Sequence, residues 1–328
     1  MRALPIVALS QAAASGMLRP AMPRTSALLQ TDAAASLAIA LSGAFWGLFW
    51  IPLRALEHQG FAGNWANVTL YAAASLVLLP FLYLQGRPRR RDLPQLIVIG
   101  IFSGLGFALW NNALIYGAVV RVTLLFYLTP VWSTVFGMIF LRDSIGPLRM
   151  LSILLGIGGA SMVLKFEGIF PVPRDAAEWC ALASGICFAL ATVYIRKSHD
   201  VGALEKTFAN QAFAVPFALL FLIFLPAPGP TAAAFFHALP LILLACIWLV
   251  PVMLLIVWGS GRLDPGRVAI LLLFEVLASA VSAALLTDEP FGWREVTGCI
   301  LILGAGLIEG LDQLRAAGRK RAASAVAS

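Results

Sequence analysis

The chain has 328 residues, of which 60% are apolar and 12% charged, and its mean hydropathy is +0.89. Because soluble domains carry about a quarter charged residues, this composition excludes an ordinary soluble enzyme or binding domain. The net charge of +7 would suggest a nucleic-acid partner in a soluble chain, but here Lys and Arg lie between apolar stretches, which is typical of membrane topology. We therefore expect a multi-pass integral membrane protein that lies in the lipid bilayer and has no nucleic-acid partner.

The first 34 residues are Ala-rich and contain a short apolar run from Leu4 to Leu9. That run is too short to cross a bilayer, although the core of a signal peptide is one interpretation of it. We expect residues 1–34 to form a mobile tail, with Met17 or Met22 as an alternative initiator.

Ten apolar windows of about 20 residues, the length that crosses a hydrocarbon core, follow in two sets of five. Segments 1 to 5 cover 35–54, 65–85, 94–116, 119–141 and 148–165. Segments 6 to 10 cover 178–196, 206–226, 237–259, 266–287 and 295–314. The predicted fold is all-α, with five-helix units at residues 35–166 and 175–314 and a basic carboxyl-terminal tail at 315–328.

The basic residues predict the orientation of these segments. The two tails and the alternate loops on the same side hold 18 of the 23 Lys and Arg residues. The opposite side holds Arg54, Arg121, Lys165, Arg174 and Arg294. Because cytoplasmic loops are enriched in basic residues, both termini are predicted to be cytoplasmic, in the cytoplasmic (inner) membrane of a bacterium.

The two sets of five segments repeat one pattern. A shift of 146 residues aligns 267–289 with 121–143 and places Arg267 on Arg121. Further matched pairs, at shifts of 142 to 146, are Gly185 with Gly43, Asn210 with Asn67, Ser279 with Ser133 and Gly304 with Gly158. Because five is odd, the second copy enters the membrane from the other side, so we expect inverted repeats related by a pseudo-two-fold axis in the membrane plane. Chance identity between apolar stretches is the alternative.

The run LLFYLTPVWSTVFGMIFLRD, followed by GPLRMLSILLGIGGA, resembles the EamA-type repeat of the drug/metabolite transporter superfamily. In that family a helix with a central leucine-x-proline ends in a leucine-x-acid turn and precedes a Gly-rich helix. The second copy, LLFEVLASAVSAALLTDEPFGWREVTGCILILGAG, is similar to the same signature. The resemblance implies a ten-helix secondary transporter with segments 4 and 9 on a central solute path and segments 5 and 10 at the periphery.

Glu275 lies near the middle of segment 9. A charged side chain at that depth costs roughly 2.5 to 3.5 kcal/mol on insertion scales, so an ionisable residue there indicates a functional site. The residue is similar to the glutamate of a glutamate-proline pair in amino-acid exporters of this type, but Val276 stands where the proline would be, which argues against a helix break. We expect Glu275 to exchange a proton or to hold an amino group of the solute; interhelical hydrogen bonding is the alternative.

Two polar stripes are predicted to face each other across the pseudo-two-fold axis. Glu275, Ser279 and Ser282 lie at i, i+4 and i+7 and so share one helical face, and Thr129 and Ser133 form the equivalent stripe of segment 4. Such stripes would line a solute path at the middle of the bilayer. Close helix packing is the alternative for the Ser and Thr side chains.

Aromatic and amide side chains complete the predicted solute-binding site: Trp46, Trp132, Asn111 and Asn112. Amphipathic aromatic rings beside amides suit an organic solute with an apolar body. Helix packing is the alternative for Trp46 and Trp132, and an interfacial aromatic belt accounts for many other Trp residues.

Arg121 and Arg267 are predicted at the outer end of segment 4 and the inner end of segment 9. Each could offer a fork for a carboxylate at one mouth of the path, and snorkelling anchors are the alternative, favoured for Arg267. Pro130 follows Thr129 and is predicted to act in gating, because proline frees backbone carbonyls and can serve as a hinge. Other prolines expected to interrupt helices are Pro52, Pro80, Pro216 and Pro251.

The predicted function is secondary transport, in the export direction, of a small organic metabolite such as an amino acid, by alternating access of the two five-helix halves and with proton coupling at Glu275. An uncoupled facilitator or a multidrug exporter is the alternative within transport. An intramembrane enzyme would need a nucleophile or a metal at depth, whereas His58, His199 and His237 lie in loops or at helix ends. We therefore expect no catalytic residue, cofactor or metal site.

A membrane scaffold would fit poorly, because the loops are short. Three GxxxG pairs predict close helix packing and leave a homodimer open. The pairs are Gly43 with Gly47, Gly100 with Gly104, and Gly306 with Gly310.

Overall fold

The computed structural model describes residues 32–85, 88–117, 119–164, 172–286 and 292–326. Within these ranges every regular element is a helix. The predicted amino-terminal tail, apart from its last three residues, lies outside the described residues.

The helices of the first repeat follow the predicted segments. Segment 1 comprises α1 (Asp32–Trp46) and α2 (Trp50–His58), segment 2 is α3 (Asn64–Gln85) and segment 3 is α4 (Leu93–Tyr116). Segment 4 comprises α5 (Val119–Phe126) and α6 (Thr129–Phe136), followed by a π-helical turn (Gly137–Leu141). Segment 5 is α7 (Pro147–Val163).

The second repeat has the same order of helices. Segments 6, 7 and 8 are α8 (Ala176–Lys197), α9 (Ala203–Phe224) and α10 (Ala232–Ser260). Segment 9 comprises α11 (Pro265–Leu272) and α12 (Phe274–Leu286), and segment 10 is α13 (Trp293–Val326). The predicted carboxyl-terminal tail thus continues the last helix as far as Val326.

Eight helical stretches of the described part are long and apolar enough to cross a membrane. They correspond to segments 1 to 4 and 6 to 9, and segment 5 is a shorter apolar helix of 17 residues. Segment 5 packs along segment 10. The chain is therefore a multi-pass integral membrane protein.

The helices pack as two interlocked groups that mix the repeats. Segment 6 packs against segments 3 and 4, and these three form bundle A. Segment 1 packs against segments 8 and 9, and these three form bundle B. Each contact in bundle A is the repeat equivalent of one in bundle B. Outside the bundles, segment 2 packs on its repeat equivalent, segment 7, and segment 5 packs on its repeat equivalent, segment 10. The packing units are therefore not the two five-helix halves that the sequence predicts.

Segments 4 and 9 are both interrupted, and at equivalent positions. The first break lies at Tyr127 and Leu128, and the second at Leu273, which is 146 residues after Tyr127. Pro130 occupies the first turn of α6, where a missing N–H and a fixed φ are well tolerated. The proline therefore favours the start of a new helix after the first break.

The break in segment 9 forms without a proline and lies at Leu273, before Glu275 and Val276, which are both inside α12. A tight turn replaces the α-helical bonds there: the Leu273 N–H donates to the Ile270 carbonyl at 3.1 Å and the Val276 N–H to the Leu273 carbonyl at 3.0 Å. These shorter-range bonds keep the backbone satisfied inside the bilayer.

A glycine backs each break, and the two glycines are repeat equivalents. A Cβ on Gly185 of segment 6 would lie 3.0 Å from the carbonyl oxygen of Phe126, and a Cβ on Gly43 of segment 1 would lie 3.1 Å from that of Leu272. Either contact is tighter than ordinary packing. Only glycine therefore lets the neighbouring helix lie this close to the break.

The GxxxG pairs serve packing within the chain. Gly43 and Gly47 face segment 9, and Gly100 and Gly104 lie against Phe213 of segment 7. Gly306 lies against the Phe274 ring of segment 9. Intramolecular packing therefore accounts for these small residues.

The expectation that every intramembrane proline interrupts a helix was wrong. Pro80, Pro216 and Pro251 lie inside the continuous helices α3, α9 and α10. Neighbouring helices and local adjustments can satisfy the carbonyls that such prolines free. Pro52 lies in the first turn of α2, just after the interruption of segment 1.

Candidate functional site

A cavity lies between bundle A and bundle B. Aromatic side chains form much of its wall near the middle of the segments: Trp46, Phe107, Phe126 and Phe188. Polar side chains reach it from segments 4, 6, 7, 8 and 9: Tyr127, Thr129, Ser133, Thr192, Asn210, Ser260 and Glu275. An apolar pocket with a few convergent polar groups is the usual form of a small-molecule site.

Glu275 lies on the cavity wall in the first turn of α12, directly after the break of segment 9. A helix amino terminus favours negative charge, so the break gives the carboxylate a favourable position. The hydroxyl of Tyr127 is a close neighbour of this carboxyl group on the cavity wall. Tyr127 itself lies in the break of segment 4, so the two breaks meet through their side chains.

Thr129 and Ser133 also line the cavity, as predicted, together with Pro130. The Thr129 hydroxyl donates to the carbonyl oxygen of Phe126 and closes the turn at the break. Ser133 is fully buried, and its hydroxyl has no hydrogen-bond partner among the described residues. Ser133 can therefore still bond a group that enters the cavity.

Ser279 and Ser282 share the face of Glu275 but contact segment 1 instead of the cavity. The Ser279 hydroxyl donates to the carbonyl oxygen of Gly47 at 2.8 Å. Ser282 accepts from the indole N–H of Trp50 at 3.2 Å and donates to the Ser279 carbonyl at 3.0 Å. These two hydroxyls join segments 9 and 1 within bundle B.

The two predicted tryptophans lie in different surroundings. Trp46 lines the cavity, stacks on Phe49 with 4.8 Å between ring centroids, and lies 5.8 Å from the Phe107 ring of bundle A. Trp132 packs toward segment 5 beside Ile157 and is not on the cavity wall. Trp46 therefore bridges the two bundles, whereas Trp132 supports the outside of segment 4.

The amides of segment 3 bind segment 2 and do not line the cavity. Asn112 accepts from the Asn64 amide at 3.0 Å and donates to the Ala108 carbonyl at 2.7 Å. Asn111 is buried near the hydroxyl of Tyr71. The Asn112 amide therefore holds segments 2 and 3 together inside the bilayer.

Arg121 forms an ion pair with Glu178 at the outer end of bundle A. Its Nη2 donates to Oε2 of Glu178 at 2.9 Å and to the Val172 carbonyl at 2.9 Å, and its Nε donates to the other carboxylate oxygen. The Glu178 side chain is 3% exposed. The guanidinium fork therefore fastens segment 4 to segment 6.

Arg267 is buried at the inner end of segment 9 and ion-paired, so the snorkelling interpretation was wrong. Its Nε donates to Oε2 of Glu309 at 3.0 Å, and Arg149 donates to the other oxygen of that carboxylate at 3.3 Å. Arg149 also forms an ion pair with Asp264 in the loop before segment 9. This network joins segments 5, 9 and 10.

Two loop carboxyls at the inner end have pKa values displaced in opposite directions. Burial opposes the ionisation of Asp264, but the charge and hydrogen bond of Arg149, together with the charges of Arg267 and Arg196, outweigh it and hold the pKa of Asp264 below its usual value. Burial raises the pKa of Asp143, and Arg196, 3.3 Å away, offsets only part of this effect. The inner end therefore contains one carboxyl with a lowered pKa and one with a raised pKa.

Four polar residues of the cavity wall were not predicted as site residues: Tyr127, Thr192, Asn210 and Ser260. Tyr127 precedes the Thr-Pro pair, and its alignment with Leu273, two residues before Glu275, was the available signal. Asn210 was matched with Asn67 as a repeat marker but was given no role. Ser260 ends the apolar run of segment 8 and carried no comparable signal.

In the described ranges, no three His, Cys, Asp or Glu side chains gather closely enough to hold a metal ion. Each of the four cysteines is a free thiol. The arrangement of the cavity instead suits noncovalent binding of an organic solute.

The chain is similar to known membrane proteins over most of its length. A sequence model described as the EamA-like transporter family matches residues 33–165 and 176–308. A Pseudomonas aeruginosa protein described as an uncharacterized transporter is 28% identical over 203 residues, which are 60% of this chain and 64% of that protein. The chain thus matches less than two thirds of that relative. A solved crystal structure with 18% identity has the same fold, with a TM-score of 0.64 over 86% of this chain and 99% of the other.

Proposed function

The chain belongs to the EamA-like transporter family, and from this premise we propose that it is a secondary transporter of a small organic solute that works by alternating access. The observation that carries the proposal is the position of Glu275, beside Tyr127, on the wall of the cavity between the two bundles. Glu275 alternately binds a proton and an amino group of the solute. The aromatic wall binds the apolar body of the solute, and its ring faces attract a cationic group.

The moving parts in this proposal are bundle A and bundle B. At the inner end α6 packs against α11, whereas the outer halves α5 and α12 pack on segments 6 and 1 of their own bundles. Rocking of one bundle against the other would part α6 from α11 and open the cavity to the inside. The two breaks, each backed by a glycine, are the hinges.

We place ten spans in the bilayer, as two inverted repeats with both termini in the cytoplasm of a bacterial cell. The excess of Lys and Arg on one side supports this orientation. The export direction follows the resemblance of segment 9 to that of amino-acid exporters.

Flux from proteoliposomes tests this function. Liposomes loaded with a mixture of amino acids, amino-acid amides and primary amines would be followed by mass spectrometry at pH 6, 7 and 8, with wild-type protein, Glu275→Gln or no protein. We expect faster loss of at least one unmodified solute with wild type, and slower or pH-independent loss with Glu275→Gln. The exposed Glu57→Gln is the matched control.

The outcomes separate the candidate functions. Equal loss with and without wild-type protein would overturn transport of these solutes, and a change in solute mass would indicate an enzyme. Unchanged flux of Glu275→Gln at every pH would overturn its role. Equilibration without accumulation against a proton gradient would indicate an uncoupled facilitator.

A further inference from the structure

The cavity contains a second polar region besides Glu275. Ser133, Asn210 and Ser260 line it from segments 4, 7 and 8. Each is at least nine-tenths buried, and the Ser133 and Ser260 hydroxyls and the Asn210 carbonyl oxygen have no hydrogen-bond partner among the described residues. A buried polar group that makes no hydrogen bond destabilises the structure. Three such groups on one cavity wall point to a ligand that bonds them.

This polar region lies toward the inner end of the cavity. Ser133 is four residues beyond Thr129, which is about 6 Å along a helix, and Ser260 is the last residue of α10. Asn210 lies two turns into α9, which begins at the inner side. The region is thus separated from Glu275, which lies near mid-depth.

The charges on the wall limit what the cavity can hold. Glu275 is its acidic side chain, and among the described residues that line it there is no Lys or Arg. Nearby Lys206 donates to the Ile195 carbonyl at 2.8 Å and so faces the end of α8. The backbone N–H groups of Val131 and Trp132 at the start of α6 are bonded to Leu128. A carboxylate or phosphate would therefore be buried here without a counter-charge, which is costly.

We propose that Ser133, Asn210 and Ser260 form a subsite for a neutral hydrogen-bonding group, so that the solute is an amine with an apolar body and a second, neutral polar group, an amide or a hydroxyl, close to the amine. The amine pairs with Glu275 and the neutral group bonds the subsite. This inference rests on the proposed transport function and narrows its solute class from amino acids in general to cationic amines without a free carboxylate.

Four probes that share one aromatic body test the proposal by binding to the purified protein in nanodiscs. L-phenylalaninamide has both groups, 2-phenylethylamine lacks the amide, 3-phenylpropanamide lacks the amine, and L-phenylalanine replaces the amide by a carboxylate. We expect L-phenylalaninamide to bind most tightly, and 2-phenylethylamine about fivefold more weakly for each lost hydrogen bond of about 1 kcal/mol. L-phenylalanine and 3-phenylpropanamide should bind at least tenfold more weakly than L-phenylalaninamide.

Substitutions assign the preference to residues. We expect the binding of L-phenylalaninamide to weaken several-fold in each of the variants Ser133→Ala, Ser260→Ala and Asn210→Leu. The affinity for 2-phenylethylamine should stay within twofold of wild type. Ser161→Ala is the matched control, because its hydroxyl donates to the Ile157 carbonyl of its own helix, away from the cavity. In Glu275→Gln, L-phenylalaninamide should no longer bind more tightly than 3-phenylpropanamide, which lacks the amine.

The results have distinct meanings. If L-phenylalanine binds as tightly as its amide, the proposed solute class is overturned. If the Ser variants lose binding of both L-phenylalaninamide and 2-phenylethylamine, the subsite is overturned. Absence of binding of all four probes at millimolar concentration would also count against the proposal. Selective binding of L-phenylalaninamide without flux would support the subsite and overturn the transport function. Flux that favours the zwitterion L-phenylalanine would support transport and overturn the subsite.

Discussion

The phenol of Tyr127 and the carboxyl group of Glu275 are neighbours on the cavity wall, and each residue lies at the helix break of its own repeat. The repeat equivalents of this pair are Leu273 and Thr129, which carry neither a phenol nor a carboxyl group. A symmetric scaffold thus carries an asymmetric polar contact, and this contact lies on the cavity wall.

Tyr127→Phe should lower flux and loosen the contact between segments 4 and 9. The substitution removes the only polar group of this side chain from beside Glu275, so we expect a modest fall in thermal stability and a change in the pH dependence of flux. Flux in proteoliposomes between pH 6 and 8 measures this. Tyr116→Phe, at an exposed ring, is the control, and an identical pH profile for Tyr127→Phe would contradict the expectation.

Gly43→Ala and Gly185→Ala should both destabilise the protein and slow transport. Each added methyl group would press on the backbone of a break, and overpacking costs roughly 1 to 3 kcal/mol. Thermal unfolding in detergent measures the effect. Gly158→Ala is a matched control, because nothing lies within 4 Å of its added Cβ, and equal losses for all three variants would show that the breaks are not special.

The Arg121–Glu178 ion pair should stabilise bundle A mainly because each side chain neutralises the charge of the other. Removal of one partner leaves the other charge uncompensated, so each single change to Met should lower the unfolding midpoint, although by less than for a fully buried pair because Arg121 is partly exposed. The double variant should cost less than the sum of the single variants. A double-mutant cycle on unfolding midpoints measures the coupling, and additive losses would refute it.

Acid should weaken the inner end of the protein through Asp264. Its pKa in the fold is lowered, so its stabilising contribution is present above the ordinary Asp pKa of about 3.9 and is lost as pH falls through the lower folded value. Asp264→Asn should therefore be less stable than wild type at pH 7 and should lose less on acidification.

Asp143→Asn is the comparison for that experiment. The pKa of Asp143 is raised, so its contribution is greatest at low pH and is lost as pH rises through the raised value. A neutral amide should then be tolerated at pH 7. Unfolding midpoints from pH 7 to pH 3 distinguish the two, and a greater loss at pH 7 for Asp143→Asn than for Asp264→Asn would count against both assignments.

The sequence predicted the helices and the family well, because ~20-residue apolar windows and the basic loops are local signals. The family match confirms the resemblance drawn from segments 4, 5, 9 and 10. Glu275 was found because a carboxylate in an apolar stretch is conspicuous, and the structure places it on the cavity wall.

The partners of the predicted residues were not predictable in the same way. The helical spacing put Ser279 on the face of Glu275, but spacing does not say which helix covers that face, and here segment 1 does. Arg267 was interpreted as an exposed loop residue. Its buried ion pair was not predictable locally, because its partner, Glu309, is 42 residues further along the chain. The interlocking of bundles depends on contacts between distant segments, for which a single sequence has no local signal.

The interlocked packing also has a consequence for the order in which the protein is made. Segment 1 leaves the ribosome first, yet its partners in bundle B are segments 8 and 9, some 200 residues later. At about 5 to 20 residues per second, segment 1 waits on the order of 10 to 40 s in the lipid before it meets them. Bundle A, whose members are segments 3, 4 and 6, can close well before that, so we expect assembly to run from the middle of the chain outward and premature termination before segment 8 to leave segment 1 unpaired.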